Sequence, residues 1–176
     1  LTELHDAYIA EILDVMPMDE AIYIFRLLED EVASDVLVEL DEDVRLEFLE
    51  ALSAKEIAEQ MDNMDSDDAA DIMAEMSEEM QEAVIQQIGD PQQAIDIASL
   101  MQYEEDTAGA IMGTELICVN ENWTTDQCIE EMRIQAEDVQ YIYTVYVVDN
   151  EKKLTGMLSL KSLLFAKKGT LVKDIY

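Results

Sequence analysis

Between Leu13 and Leu100 two apolar slots, three residues apart, return every twelve residues, eight times over. The first slot holds Leu13, Phe25, Leu37, Leu49, Met61, Met73, Ile85 and Ile97. The second holds Met16, Leu28, Leu40, Leu52, Met64, Met76, Ile88 and Leu100. With about half of residues apolar in an ordinary protein, such a series arises by chance about once in 10^5 registers. It is a repeat. Apolar residues three apart share a helix face but fall on opposite faces of a strand, so each unit is predicted to be one short helix.

The polar residues between the slots agree. Asp41, Ser53, Asp65 and Ser77 follow the second slot in four successive units, where a side-chain oxygen can take an orphan N–H of the next helix. Ser53 to Glu56 spells a capping box, and Gly89-Asp90-Pro91 ends one helix and opens the next. Helices of about nine residues joined by turns of about two or three are the result. Helices that short are unstable alone, because nucleation outweighs so few propagation steps. They must stack as up-and-down hairpins with a period of twenty-four residues, which predicts an α-superhelical repeat domain over residues 1–100.

Beyond Leu100 the pattern changes. Residues 101–113 read as a linker in which Glu104 to Met112 forms one more helix, with Gly109 and Gly113 as a hinge. Residues 114–176 then read as a small α+β domain: a strand from Leu116 to Val119, a helix capped by Thr124-Thr125-Asp126 and running to about Glu137, and a strand from Tyr143 to Val148. A polar turn over 149–153, a strand from Leu154 to Ser159 and a helix from Leu160 to Lys167 complete it. Ile129 and Met132 are the expected inner face of the first helix. Trp123 is expected to anchor the core.

Charge narrows the function. Residues 1–100 carry 29 acids against Arg26, Arg45 and Lys55, a net of −26, whereas residues 101–176 carry 13 acids and 7 bases, a net of −6. Such a field repels phosphate, so a nucleic-acid partner is disfavoured. General acidity for solubility would tax both halves alike. Cys118 and Cys128 form no close-spaced pair and suit a reducing compartment, with both thiols buried. There is no run of eighteen apolar residues and no charged-then-apolar leader, so a soluble body is expected. No nucleophile, base and acid set and no glycine-rich phosphate loop appears, so no enzyme is expected. His5 stands alone near a terminus and reads as surface, and the stripe Met61, Met64, Met73, Met76 and Met80 reads as core.

The residues also carry a resemblance. Tyr103 through Gly109 and Met112, Val119, Trp123-Thr124-Thr125, Tyr143 to Asp149 and Gly156 to Leu164 resemble a CBS domain. Preceded by the acidic repeat, with its Met64-Asp65-Ser66-Asp67-Asp68-Ala69-Ala70-Asp71-Ile72-Met73 segment, the whole is similar to the cytosolic part of MgtE-type magnesium transporters. The resemblance implies an acidic helical N domain followed by the first of two CBS copies, with Thr170 to Tyr176 as the entrance to the second. It further implies a transmembrane pore in the same polypeptide, a place at the cytoplasmic face of the membrane and a homodimer in the full protein. In that family the cytosolic part senses magnesium: bound ions draw the acidic domain onto the CBS pair and close the pore.

Crowded carboxylates supply an independent physical reason for such a switch, since they disfavour a compact arrangement until divalent cations neutralise them. Magnesium suits this role because it keeps several waters and needs only one or two carboxylates. Asp43 and Glu47 recur twenty-four residues on as Asp67 and Asp71, each pair one helical turn apart, and together predict an acidic ridge. The resemblance assigns ion binding to Asp67 and Asp71, with Asp35 of the preceding hairpin as a further candidate. A calcium loop does not fit, because starting at Asp62 or Asp65 there is no glycine at the sixth position and no glutamate at the twelfth.

Two other functions compete. CBS pairs often bind adenine nucleotides, but where the CBS pattern places a ribose-binding Asp after the returning strand, this chain has Ser162. The remaining reading is an acidic helical scaffold that holds a basic protein partner along its concave face.

Overall fold

A computed structural model describes residues 4–104, 107–136, 139, 142 and 144–176. It divides into two compact units, Leu1–Thr114 and Glu115–Tyr176. Among the described residues no helix is long and apolar enough to cross a membrane.

Among the described residues the first unit has eight short helices: α1 (Asp6–Asp14), α2 (Met18–Phe25), α3 (Asp30–Glu39), α4 (Glu42–Ala51), α5 (Ala54–Met61), α6 (Ser66–Ala74), α7 (Glu78–Ile85) and α8 (Pro91–Leu100). The odd-numbered helices pack in succession, α1 on α3, α3 on α5 and α5 on α7, while α2 pairs with α4 and α6 with α8. This is the stacked-hairpin repeat that the twenty-four-residue period requires. Every residue of the two apolar slots is buried or half-buried, and Leu13, Leu37, Met61 and Met73 are almost wholly removed from solvent. Asp41, Ser53, Asp65, Ser77 and Asp90 all stand at helix N-caps. Ser53 makes the full reciprocal box with Glu56, which also ion-pairs with Arg26 across hairpins at 2.7 Å. His5, exposed as expected, caps α1.

Side chains stitch each hairpin to the next. Asp14 Oδ1 accepts from the Asp41 N–H, and Asp62 accepts from both Gly89 and Asp90 N–H groups. A Cβ at residue 89 would stand 2.9 Å from Asp62 Oδ2, so a side chain there would push the Asp62 carboxylate aside. Gln93 Nε2 donates to the carbonyls of Met61 and Met64, and Gln81 Nε2 to those of Met73 and Met76, satisfying the carbonyls that α5 and α6 leave open at their C-termini.

One expectation fails here. Among the described residues Thr107 to Ile111 form turns rather than a helix, closed by Thr107 N–H to the Glu104 carbonyl and Ala110 N–H to the Thr107 carbonyl. Gly109 lies so close to the Tyr103 ring that a Cβ would meet Cδ1 at 2.2 Å, so the chain folds back on itself instead of propagating.

Among the described residues the second unit is a three-stranded sheet with helices. Strands β1 (Ile117–Asn120) and β2 (Val145–Val148) pair in parallel, with Ile117 opposite Val145, and β2 pairs antiparallel with β3 (Leu154–Leu158), with Val145 opposite Leu158. Helix α9 (Thr125–Gln135) connects β1 to β2, and α10 (Leu160–Phe165) follows β3. Glu137 and Tyr143, the expected ends of α9 and β2, lie outside the described residues. Ile117, Val119, Cys128, Met132, Val145, Val147, Leu158, Leu163 and Val172 form its core, with Trp123 and Ile129 packed against it. Cys128 is buried and Cys118 half-buried. Residues 170–173 pair back on the start of α9, with Val172 N–H donating to the Trp123 carbonyl and Thr125 N–H to the Thr170 carbonyl.

Candidate metal site

The three residues assigned to ion binding lie in the first unit. Asp67 and Asp71 stand one turn apart on α6, Asp67 half-buried and Asp71 exposed; Asp35 is half-buried on α3. Helix α6 has Asp65 at its N-cap position and is held by Ala69, Ile72 and Met73 on its buried side. Acids at its first turn also complement the positive end of the helix dipole. Asp43 and Glu47 occupy the matching, exposed places on α4.

The most perturbed of these carboxylates is one that the repeat spacing did not single out. Asp68 is half-buried, and burial raises its pKa to about 6, helped by the charges of Asp67, Asp65, Asp71 and Asp35. Asp35 is raised too, first by burial and then by Asp6, Asp65, Glu31 and Glu39. The signal lies in the register between hairpins: at a shift of twenty-four residues Asp68 falls on Val44, a half-buried aliphatic. A carboxylate in an aliphatic slot is forced partly out of water.

Asp35, Asp65, Asp67, Asp68 and Asp71 thus form one electrostatically coupled group spanning α3 and α6. Arg45, whose charge also acts on Asp71, pairs directly with Glu75, Nη2 lying 2.6 Å from Oε1, and its Nη1 donates to the Val38 and Leu40 carbonyls. Among the described residues no three acidic, histidine or cysteine side chains are gathered as a ready-made cage for a metal ion. The donor set is all oxygen and spread along a surface. It fits a hydrated magnesium ion, which binds through one or two carboxylates and its own waters, better than a fully coordinated calcium or zinc site.

The titration of Asp68 gives a testable pH dependence. Its folded value lies above the ordinary 3.8, so between these values the folded chain holds more protons than the unfolded one, and stability increases as pH falls from 7 through about 6. Glu56 acts oppositely. Its hydrogen bonds from Arg26 and Ser53 hold it at about 2, so its stabilisation is present above the ordinary 4.5 and is lost as pH falls towards 2. A melting-temperature scan is expected to peak at about pH 4 to 5, and Asp68→Asn is expected to flatten the limb above the peak while leaving the acid limb in place.

In the second unit, the residue at the ribose position is tied into a helix cap. Ser162 N–H donates to Ser159 Oγ at 3.0 Å, and the two hydroxyls lie 2.9 Å apart.

Comparison with known proteins places both units. The family model of the MgtE intracellular N domain matches residues 4–106, and that of the CBS domain matches residues 108–169. The magnesium transporter MgtE of Thermus thermophilus is 38% identical over 86 residues, covering 49% of this chain and 19% of the relative. That of Enterococcus faecalis is 40% identical over 84 residues, covering 48% of this chain and 18% of the relative. The chain therefore matches less than a fifth of the length of these transporters. A crystal structure of the cytosolic domain of the Mg2+ channel MgtE in complex with ATP superposes with a TM-score of 0.90 at 28% identity, covering 99% of this chain and 71% of that one. The soluble part of a magnesium transporter superposes with a TM-score of 0.84 at 26% identity, covering 99% and 68%. An acidic eight-helix repeat of the intracellular N-domain type, followed in the same chain by a CBS domain, makes this chain a member of the MgtE family, corresponding to its cytosolic part.

Proposed function

We propose that this chain is the magnesium-sensing regulatory region of a magnesium transporter or channel, in which ions collected on the α3/α6 acidic group favour a compact state that gates a pore carried by the same polypeptide. The observation that carries this reading is Asp68, half-buried beside the charges of Asp67, Asp65, Asp71 and Asp35. The neighbouring charges disfavour ionisation of Asp68 at neutral pH, so a divalent cation that binds there lowers the free energy of the folded, compact chain. The ion acts as a ligand that prefers one conformation. Asp67 and Asp71 are its direct carboxylate partners, and Asp35 contributes from the adjoining hairpin. In the full protein the assembly is a homodimer at the cytoplasmic face of the membrane.

Thermal unfolding in graded Mg2+ at constant ionic strength tests this. At pH 7 an ion concentration ten times the dissociation constant is expected to add about 1.4 kcal/mol of stability. The gain is expected to fade by pH 5, where protonation of Asp68 removes the negative charge beside the ion, and to vanish in Asp67→Asn with Asp71→Asn. A gain of equal size in that double variant refutes the assignment.

A second reading is supported by the ATP bound in the similar cytosolic domain. It makes the CBS unit an adenine-nucleotide sensor, with the ribose carboxylate supplied from outside this unit, since Ser162 has none. Heat released by ATP in the absence of Mg2+ favours this reading; heat released by Mg2+ alone favours the first.

A further inference from the structure

The repeat is broken at one helix start. Among the described residues the helices of the first unit open on exposed or half-buried residues, Met18, Glu42 and Ala54 among them, but Ser66, which opens α6, is 0% exposed. A buried hydroxyl needs a partner. Ser66 finds one forty-eight residues away: its Oγ lies 2.9 Å from Thr114 Oγ1 and accepts from the Thr114 N–H at 3.2 Å. One side chain thus holds both the backbone and the side chain of a distant residue.

Thr114 is the last residue of the first unit, and the second begins at Glu115. The described residues that lead to it from α8 turn through local bonds, Tyr103 N–H to the Leu100 carbonyl, Thr107 N–H to the Glu104 carbonyl and Ala110 N–H to the Thr107 carbonyl. Isolated turns of this kind open at little cost and fix no direction for the chain beyond them. Helix α8 packs on α6, so the segment departs from the α6–α8 pair and is brought back to it by Ser66. The next residue along α6 is Asp67.

We propose that Ser66 is a positioning residue: with Thr114 it forms a clamp that ties the exit of the first unit to α6, and through this clamp α6 steers the second unit. The inference rests on the magnesium reading above for what displaces α6, and not for the clamp itself. A shift of the first turn of α6 reaches Thr114 through two hydrogen bonds, whereas without them it is absorbed in the turns before it. Ser66 therefore acts on the response to the ion and not on its binding.

The test compares the unmodified chain with Ser66→Ala, which removes the hydroxyl and keeps a good helix former. In graded Mg2+ the midpoint of thermal stabilisation is expected to stay within about twofold, while the fall in radius of gyration shrinks to less than about a third. A role confined to stability would lower the melting temperature and leave that fall intact. In metal-free buffer the Thr114 N–H is expected to exchange with solvent about tenfold faster in the variant. Should Ser66→Ala fold poorly, Thr114→Val is expected to change the same readouts in the same direction but less, since it keeps the N–H, and Thr114→Ser is expected to restore them. Full compaction of Ser66→Ala by Mg2+ overturns the proposal. A chain that Mg2+ neither stabilises nor compacts refutes the ion reading instead; the clamp is then decided in metal-free buffer, where unchanged Thr114 exchange overturns it and faster exchange with a larger radius of gyration upholds it.

Discussion

Glu75→Ala is expected to destabilise the first unit by about 2 to 3 kcal/mol, read as a shift in the urea midpoint of its helical signal. Arg45 and Glu75 link α4 to the end of α6 through three hydrogen bonds from one guanidinium, one at 2.6 Å and two at 3.1 Å, with only 15% and 18% of their side chains exposed. Removing the carboxylate leaves a largely buried cation with the last carbonyls of α3 and the weaker pull of Glu42 and Asp71, and that undercompensated charge is the source of the penalty. The remaining exposure and the two carbonyl acceptors keep the loss below that of a fully buried pair. Replacing both residues by apolar ones, as in Arg45→Met with Glu75→Leu, is expected to recover most of the loss. Equal losses in the single and double variants contradict this account of the pair.

Phe48→Ala is expected to cost more, about 3 to 5 kcal/mol, because it removes a large buried ring and leaves a cavity that short, cross-tied helices cannot collapse to fill. Phe48 is fully buried on α4 and meets the Phe25 ring of α2 edge-on, with centroids 5.4 Å apart and planes at 80°. That geometry adds to burial area alone. Phe48→Leu, which keeps most of the volume, is expected to lose less than half as much. A small effect of the alanine variant on the denaturation midpoint would show that the α2–α4 contact is not a principal support of the stack.

These residues also mark the reach of local sequence pattern. The slots and caps are local and periodic, so helix positions, turns and stacking follow from the twelve-residue spacing, as does the order of strands and helices in the second unit from its own apolar runs and turns. The Arg45–Glu75 pair is not legible in this way. Its members are thirty residues apart and belong to different elements of different hairpins, so no spacing rule joins them. Asp68 escapes notice because its neighbours Asp67 and Asp71 lie on the regular acidic ridge, whereas its own perturbation comes from burial in a slot that Val44 fills one hairpin earlier. The error over Glu104 to Met112 has a similar origin: its composition suits a helix, but the close approach of Gly109 to the Tyr103 ring is a tertiary contact. The proposed site residues enter through family resemblance, and the structure adds the half-burial of Asp68 beside their charges.

That placement leads to one direct measurement. Small-angle scattering of the chain at pH 7, with Mg2+ exchanged for sodium chloride at constant ionic strength, is predicted to show a smaller radius of gyration in the magnesium-containing buffer and no change for Asp67→Asn with Asp71→Asn. Superimposable curves for the unmodified chain with and without Mg2+ contradict the claim that its carboxylates are a magnesium-operated switch.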